Sequence, residues 1–266
     1  MPSRSFGEFH LHYDAPEAGR YRAPILVLPG LFQSFECWRL LTSMLAHRGW
    51  EVYALTRSMP DREGDLRLLD RTWEEARRRV LEVAPRLDER IVLLGADLGA
   101  ALALGVAEEL NPLAMALFAP ATPSHLAASR LEAAPRRWAE RLGLVRSSTG
   151  EAVTAPAHWR AGVPAAHTAE EPTSLLEELE HLPAPPTASR VPTVVFAPSG
   201  DPLVSPQHAL GFAAGPHVRA SSTVLPGRFW PRTSAAVADE VHRFLILTLA
   251  DRVVEFPEEI LADDDE

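Results

Sequence analysis

The sequence is poor in three features that would each point to a particular class of protein. It contains a single cysteine, Cys37, so no intrachain disulfide can form, which is typical of a reducing compartment. Its formal net charge is −10, which argues against a nucleic-acid surface because phosphate contacts need clustered Lys and Arg. The opening MPSRSFGEFHLHYD lacks the apolar segment of a secretory signal, and apolar runs elsewhere are well short of a bilayer span. We therefore expect a soluble, cytoplasmic protein that neither binds nucleic acid nor spans a membrane.

The acidic excess is concentrated in the last sixteen positions. Residues 251–266 contain eight acids and one arginine, and so contribute −7 of the net charge of −10. The rest of the chain is close to neutral, so no strongly charged partner is indicated. Acidic runs are usually solvated, and we expect residues 251–266 to be a disordered tail. A second interpretation stays open, in which the tail binds a protein partner.

The order of strands and helices predicts one α/β domain with an insertion. Apolar residues make up 46% and charged residues 23% of the 266 positions, as in ordinary globular proteins. Short apolar runs alternate with helical patterns, which predicts a mostly parallel, doubly wound sheet. Residues 124–190 interrupt this rhythm and predict a lid, so the core comprises residues 1–123 and 191–250. The predicted strands are 5–14, 23–30, 51–55, 90–96, 113–120, 191–200 and 218–227, and the predicted helices are 34–50, 71–87, 98–110, 205–215 and 234–250.

Several local signals place the ends and faces of these helices. Gly49 is predicted to end the helix whose apolar face carries Trp38, Leu41 and Leu45. Thr72 and Glu75 form a capping-box pattern at the start of the next helix. Asn111-Pro112 is predicted to end the helix at 98–110. The last helix has an apolar face that includes Val237, Val241, Phe244 and Leu245. Residues 5–14 alternate, which predicts one antiparallel edge strand with Phe9, Leu11 and Tyr13 on one face.

The stretch IVLLGADLGAALALG, residues 91–105, has the frame of a nucleophile elbow, in which a reactive residue sits between a buried strand and a helix. Asp97 occupies the central position, where serine is usual. Aspartate tolerates the strained backbone of such a turn, and the helix N-terminus favours a negative charge. Gly95 and Gly99 are small enough to let strand and helix approach closely. A plain helix cap would use the same position, so Asp97 alone does not decide between capping and catalysis.

Three motifs together resemble the α/β-hydrolase superfamily over roughly residues 5–250. The first is the strand ending in Pro29-Gly30 before a helix that carries Trp38, the second is the elbow, and the third is Gly200-Asp201-Pro202 after a late strand. The resemblance implies the α/β-hydrolase fold with a helical lid and no cofactor. An aspartate at the elbow is similar to the haloalkane dehalogenase and epoxide hydrolase branches, where it attacks carbon and forms an ester.

The resemblance also assigns roles to positions of this chain. Asp97 would be the nucleophile, and Asp201 would be the acid that orients a catalytic histidine. The backbone N–H groups of Leu31 and Leu98 would form the oxyanion hole. Pro29 replaces the histidine of the usual His-Gly turn, and neither Leu31 nor Leu98 can hold a leaving halide, which puts dehalogenation in doubt.

The loop before the last helix departs most from the family pattern. In the segment VLPGRFWPRTS, aligning Trp230-Pro231 with the residues that follow the family's histidine puts Phe229 in the place of that histidine. A rival alignment, shifted by one residue, puts Arg228 there. Neither side chain can act as a general base. Gly30, Phe229 and Trp230 would then line an apolar pocket.

The remaining histidines receive plainer interpretations. His10 and His12 share one face of a strand, but no third ligand is evident, so we expect an exposed polar face of an edge strand rather than a metal site. His217 and His242 lie on positions that are normally far from the elbow, and the same objection applies to His208. The predicted lid carries four more histidines, any of which could swing over the pocket: His125, His158, His167 and His181.

Three hypotheses remain from the sequence. The first is an inactive member with an incomplete triad, which binds a small apolar ligand or a protein partner. The second is a noncanonical hydrolase in which Asp97 is the nucleophile and the lid supplies the base. The third is an interaction protein that uses its acidic tail. An ester or thioester hydrolase of the serine type is not favoured, because the elbow lacks serine.

Overall fold

The computed structural model describes the predicted core in separate stretches. The described residues are 3–6, 9–15, 21, 23–30, 35–57, 73–87, 90–96, 98–120, 191–198, 207, 209, 222–225 and 235–253. The predicted lid at 124–190 and most of the acidic tail lie outside them, as does most of the predicted helix at 205–215.

Eight strands form a single sheet with the order β1-β2-β4-β3-β5-β6-β7-β8. Six of them, from β4 to β8 across the sheet, run parallel, and β1 and β2 are antiparallel additions at one side. The mostly parallel sheet predicted from the strand–helix alternation is thereby confirmed. The strands are β1 (Ser3–Phe6), β2 (Phe9–Asp14), β3 (Ile25–Leu28), β4 (Val52–Arg57), β5 (Val92–Ala96), β6 (Ala114–Phe118), β7 (Thr193–Pro198) and β8 (Ser222–Leu225).

Four α-helices accompany the described strands, and each follows a helical pattern of the sequence. They are α1 (Phe35–His47), α2 (Trp73–Val83), α3 (Leu98–Leu110) and α4 (Ala235–Val253), and a short 3₁₀ turn, Ala84–Arg86, extends α2. The sheet separates two apolar cores. Side chains of α2 and α3 pack on one face and those of α1 and α4 pack on the other. Strands β3, β5 and β6 are buried on both faces, as their continuous apolar runs predict.

Helix α1 ends at a turn that Gly49 forms, as the sequence predicts. Gly49 has a φ of 99°, and its N–H donates to the Ala46 carbonyl while the Trp50 N–H donates to the Leu45 carbonyl. This pair of bonds is a Schellman motif, and it confirms Gly49 as the helix stop. Asn111, with a φ of 44°, ends α3 in a similar way. Helix α2 begins at Trp73, directly after Thr72, which lies outside the described residues.

The prediction of one edge strand over residues 5–14 was wrong. The segment forms two strands, β1 and β2, which pair from Ser3 with His12 to Phe6 with Phe9. Strand β1 takes the edge, and β2 lies inside the sheet because it also pairs with β4 along its whole length. An alternating pattern reports which faces of a strand are buried, but it does not report how many neighbours the strand has. As a result, the His12 side chain is half-buried rather than on an exposed polar face.

Candidate functional site

The elbow sequence lies at the carboxyl end of the sheet, which we define as the end where the six parallel strands finish. Strand β5 occupies an inner position there, between β3 and β6. It ends at Ala96, and α3 begins at Leu98, so a single residue, Asp97, connects them. Asp97 itself lies outside the described residues. In open α/β sheets, ligands bind outside the carboxyl ends of the strands, which makes this end the natural place for a site.

Two glycines bring α3 close to the sheet at this point. A β-carbon on Gly95 would lie 2.5 Å from the Gly99 carbonyl oxygen and 2.7 Å from the Ala100 α-carbon. A β-carbon on Gly99 would lie 2.5 Å from the Pro29 carbonyl oxygen, and still closer to the Leu28 carbonyl oxygen. Real β-carbons essentially never show such contacts. The close approach predicted from the two glycines is therefore confirmed, and it brings the start of α3 against the end of β3.

The ends of three neighbouring strands and the start of α3 thus meet in one region. We call it the elbow corner and define it by residues 28–30, 95–96, 98–100 and 118–120. Gly30 and the backbone of Leu98, two of the predicted site positions, both belong to it. The residue types at the described positions of this region are all apolar or glycine. The first N–H groups of α3 have no partner within the helix, and they give its start a partial positive charge that favours an anion or a developing negative charge nearby.

Aromatic rings fill the sheet face beneath the elbow corner. Phe118, which pairs with Ala96, is fully buried and stacks on Phe196, with ring centroids 4.6 Å apart. The Trp38 ring contacts Phe118 edge-on, at 6.0 Å between centroids and an interplanar angle of 75°. Trp38 is fully buried and belongs to the core, which confirms the packing role predicted for it. The face under the elbow corner is therefore filled by buried, packed aromatic rings.

Strand β6 ends in a backbone conformation that no sequence signal indicated. Ala119 has a φ of 45° and is buried, and its N–H donates to the Phe196 carbonyl oxygen at 2.9 Å. Non-glycine residues in this left-handed region cost of order 1–2 kcal/mol. Such strain collects at functional sites, and here it lies directly beside the end of β5. The hydrogen bond to Phe196 holds Ala119 in place.

The described histidines lie away from the elbow corner. His12 Nε2 is 2.9 Å from Thr56 Oγ1, on strands β2 and β4. Strand β2 is three positions from β5 in the sheet, which at ordinary strand spacing amounts to roughly 14 Å. His10 lies on the same strand, opposite Thr56. At that separation the His12 imidazole cannot hydrogen-bond to a group at the turn between β5 and α3.

His47 and His242 lie at the opposite, amino end of the sheet. His47 is the last residue of α1, two residues before the Gly49 turn. His242 Nδ1 accepts a hydrogen bond from Trp50 Nε1 at 3.0 Å, and Trp50 stands just before the start of β4. Burial lowers the pKa of His242, and the nearby Arg48 guanidinium lowers it further, while Asp239 opposes the shift. This location confirms the prediction that His242 lies far from the elbow.

The other predicted site residues lie outside the described residues. They are Asp97, Asp201, Leu31, Phe229 and Trp230, together with six histidines: His125, His158, His167, His181, His208 and His217. Phe118 and Ala119 of the elbow corner, and Phe196 beside it, were not among the predicted site residues. Phe118 and Phe196 carried a partial signal, since both lie in apolar runs that were predicted as strands of the mostly parallel sheet. Ala119 carried none.

Within the described part of the chain, no three His, Cys, Asp or Glu side chains come together in a way that could hold a metal ion. None of the helices among the described residues is both long enough and apolar enough to cross a membrane.

Comparisons with known proteins bear on the fold. No protein-family model matches this sequence, and no curated protein matches it. Solved structures do resemble it. A structure from the work on carboxylesterases of the ammonia-oxidizing thaumarchaeon Nitrososphaera gargenis superposes with a TM-score of 0.63 at 13% identity, over 94% of this chain and 100% of that one.

Two further structures superpose over nearly their whole length. The enol-lactonase from Burkholderia xenovorans has a TM-score of 0.59 at 19% identity, over 94% of this chain and 100% of that one. An alpha/beta hydrolase enzyme from the metagenome of lagoon sediments of Mar Chica, Morocco, has a TM-score of 0.55 at 16% identity, over 95% and 99%. At these identities the likeness concerns the fold. The sheet order, the helices on both faces and these neighbours together show that the chain has the α/β-hydrolase fold.

Proposed function

We propose that this chain is an α/β-hydrolase-fold protein that binds a small apolar ligand at the elbow corner and does not turn it over. The observation that supports the proposal is the position of the four histidines that belong to the described strands and helices. His10, His12, His47 and His242 all belong to parts of the sheet and helices remote from the corner. At the loop where the fold's hydrolases keep their base, the sequence has Phe229.

The missing base matters because of the chemistry available to Asp97. A carboxylate that attacks a haloalkane or epoxide carbon forms an ester, while the carbon–halogen or carbon–oxygen bond breaks and the leaving group takes the electron pair. Hydrolysis of that ester needs a base to remove a proton from the attacking water. Phenylalanine cannot accept a proton. General-base assistance contributes about 10²–10⁴-fold, so its loss leaves any ester nearly stable.

An apolar ligand suits the surroundings of the corner. Residues 28–30 and 118–120 contribute no polar side chain, and Phe118, Phe196 and Trp38 fill the face beneath them. A ligand with several polar groups would lose hydrogen bonds to water at such a surface without gaining replacements. Backbone N–H groups at the start of α3 remain as the available donors, enough to orient one carbonyl or ether oxygen.

Binding is tested by thermal unfolding in the presence of small apolar molecules. A ligand at about 100 times its Kd stabilises the folded protein by roughly 2.7 kcal/mol, which raises the unfolding temperature measurably. We expect a Phe229→Asp variant to lose this response, because a carboxylate would disfavour the apolar ligand. Replacing the exposed Leu247 of α4 by Asp is the matched control and should leave the response intact. An unchanged response in Phe229→Asp would contradict the proposed location.

The lack of turnover is tested by supplying the base. Phe229→His should gain hydrolysis of epoxides or haloalkanes by about 10²-fold or more over the wild-type protein. The control is Arg228→His, which puts the same imidazole one residue earlier in the loop. Activity that appears only in Arg228→His would support the shifted alignment. Hydrolysis by the wild-type protein that disappears in Asp97→Asn would refute the inactive interpretation.

A second function has one specific observation in its favour, namely the tight packing of Gly95 and Gly99 that an elbow requires. In this alternative Asp97 is the nucleophile of a noncanonical hydrolase and a histidine of residues 124–190 supplies the base. Incubation with a reactive haloalkane or epoxide, followed by mass spectrometry, separates the two. A lasting adduct on Asp97 indicates a nucleophile without a base, and product release without an adduct indicates turnover. The Asp97→Asn variant is the control for both.

A further inference from the structure

A hydrogen bond joins the first half of α4 to the turn between α1 and β4, at the amino end of the sheet. Trp50 Nε1 donates to His242 Nδ1 at 3.0 Å, between residues 192 positions apart in the sequence. Trp50 is fully buried, and its ring stacks on Tyr21 at 4.2 Å between centroids. His242 meets both rings edge-on, at 5.9 Å from Tyr21 and 6.3 Å from Trp50. The imidazole is therefore enclosed by aromatic rings on the side that faces the core.

The direction of this hydrogen bond dictates the protonation state of the imidazole. An indole N–H is a donor only, so Nδ1 of His242 must carry a free electron pair. Protonated imidazole donates from both nitrogens, and its Nδ1–H would point at the Trp50 N–H. The bond would then be replaced by a repulsive contact between two donors. Trp50, which is buried, would be left with an unsatisfied N–H, a costly state.

The charged groups around His242 act in opposite directions. Arg48, from the end of α1, donates to Asp239 of α4 through Nε at 3.0 Å and also bonds to it through Nη2. Arg48 also donates to the Met44 carbonyl through Nη1. Burial is the largest cause that lowers the pKa of His242, the Arg48 charge adds to it, and the Asp239 charge opposes it. Tyr21 presents an uncharged ring.

We propose that the Trp50–His242 pair is a pH-sensitive latch, which holds α4 to the α1–β4 turn at neutral pH and releases it when the medium becomes acidic. The Arg48–Asp239 ion pair spans the same two elements and does not depend on His242, so release loosens the contact without removing it. Helix α4 directly follows residues 226–234, the segment that contains Phe229. The latch is independent of the proposed ligand binding, since it concerns only residues at the amino end.

The sign of the effect follows from proton linkage. In the unfolded chain His242 has a pKa near its ordinary value of about 6.5, and folding lowers it. Between the folded pKa and 6.5 the unfolded state therefore binds more protons, so stability falls as the pH falls through this window. Above about pH 7.5 the contribution is complete. On going from pH 7.5 to 5.5, one such histidine lowers the folding equilibrium constant by up to about tenfold.

Urea unfolding at pH 7.5 and 5.5 measures this loss in three proteins. In His242→Asn, the Asn Oδ1 stands close to the position of Nδ1, accepts from Trp50 and does not titrate. Between pH 7.5 and 5.5, we expect the folding equilibrium constant of wild type to fall by up to tenfold more than that of His242→Asn. The matched control is Leu247→Asn, which puts the same amide at an exposed position of the same helix and should keep the wild-type pH dependence. Equal pH dependence in His242→Asn and wild type would overturn the proposal.

A spectroscopic measurement on the wild-type protein keeps the test valid if His242→Asn folds poorly. The indole N–H proton resonance of Trp50, assigned through its proximity to Tyr21, reports the hydrogen bond directly. We expect it to shift upfield as the pH falls below 6.5, in step with the titration of the His242 ring protons. An indole resonance that does not move while His242 titrates would show that the pair is not a latch.

Discussion

The clearest test of how the elbow is built is the substitution Gly99→Ala. A β-carbon at this position would lie 2.5 Å from the Pro29 carbonyl oxygen and 2.8 Å from the Leu28 carbonyl carbon, where ordinary contacts begin at 3.4 Å. The obstacle is backbone of β3, which pairs with β4 on one side and β5 on the other, so no side-chain rotation relieves it. The start of α3 and the end of β3 must separate by roughly 1 Å. Overpacking in a rigid core costs about 1–3 kcal/mol, and a backbone clash should reach at least the upper end.

Urea unfolding followed by tryptophan fluorescence provides the assay, because Trp38 and Trp50 are fully buried and report the loss of the core. We expect Gly99→Ala to lower the midpoint by an amount equivalent to about 3 kcal/mol or more, with an unchanged slope. Gly105→Ala makes the same change six residues later in α3, at a half-buried position. Helix propensity predicts that it stabilises the protein by about 0.5–1 kcal/mol. A Gly99→Ala protein that unfolds at the wild-type urea concentration would refute the packing described for the elbow.

Three further substitutions test other parts of the fold, each by the same unfolding assay. Gly49→Ala should cost about 1–2 kcal/mol, because the residue keeps a φ of 99° that disfavours a β-carbon, and no loss would mean that the turn can rearrange. Phe118→Ala should lower the free energy of unfolding by about 3–5 kcal/mol, because it opens a cavity under the elbow corner. The control is Leu40→Ala, at a side chain that is 47% exposed, which should change stability by less than about 0.5 kcal/mol. Thr42→Val should lower the free energy of unfolding by about 1.5–3 kcal/mol, since the buried Thr42 hydroxyl donates to the Asp14 carboxylate at 2.6 Å. A stability equal to wild type would show that this hydrogen bond contributes nothing.

The amino-acid sequence was sufficient to predict the elements of the sheet and the helices that cover it. Residues 98–110 form a helix with the predicted bounds, and Gly49 ends α1 as its position indicated. These features are determined over one or two helical turns, where burial on one face, a cap or a glycine acts on neighbouring residues. The role of Trp38 in the core was predictable for the same reason, since it shares a helical face with Leu41 and Leu45.

Contacts between residues distant in the sequence could not be read in this way. Nothing in the alternation of residues 5–14 indicated that the segment would form a hairpin with β2 inside the sheet. The left-handed Ala119 depends on a hydrogen bond to Phe196 from another strand. The roles of Asp97, Asp201 and Phe229 remain predictions, which the substitutions described above are designed to test.

For this protein, the sequence by itself determined which segments become strands and helices and that two glycines would allow a sharp strand–helix turn. Only the tertiary structure decided where the imidazoles lie: His12 on a strand three positions from β5, and His242 against Trp50 at the amino end of the sheet. The physical reason is the distance along the sequence over which each kind of interaction acts. Helix and strand formation depends on the pattern of neighbouring side chains, whereas the surroundings of a histidine depend on which distant segments the packed sheet brings beside it.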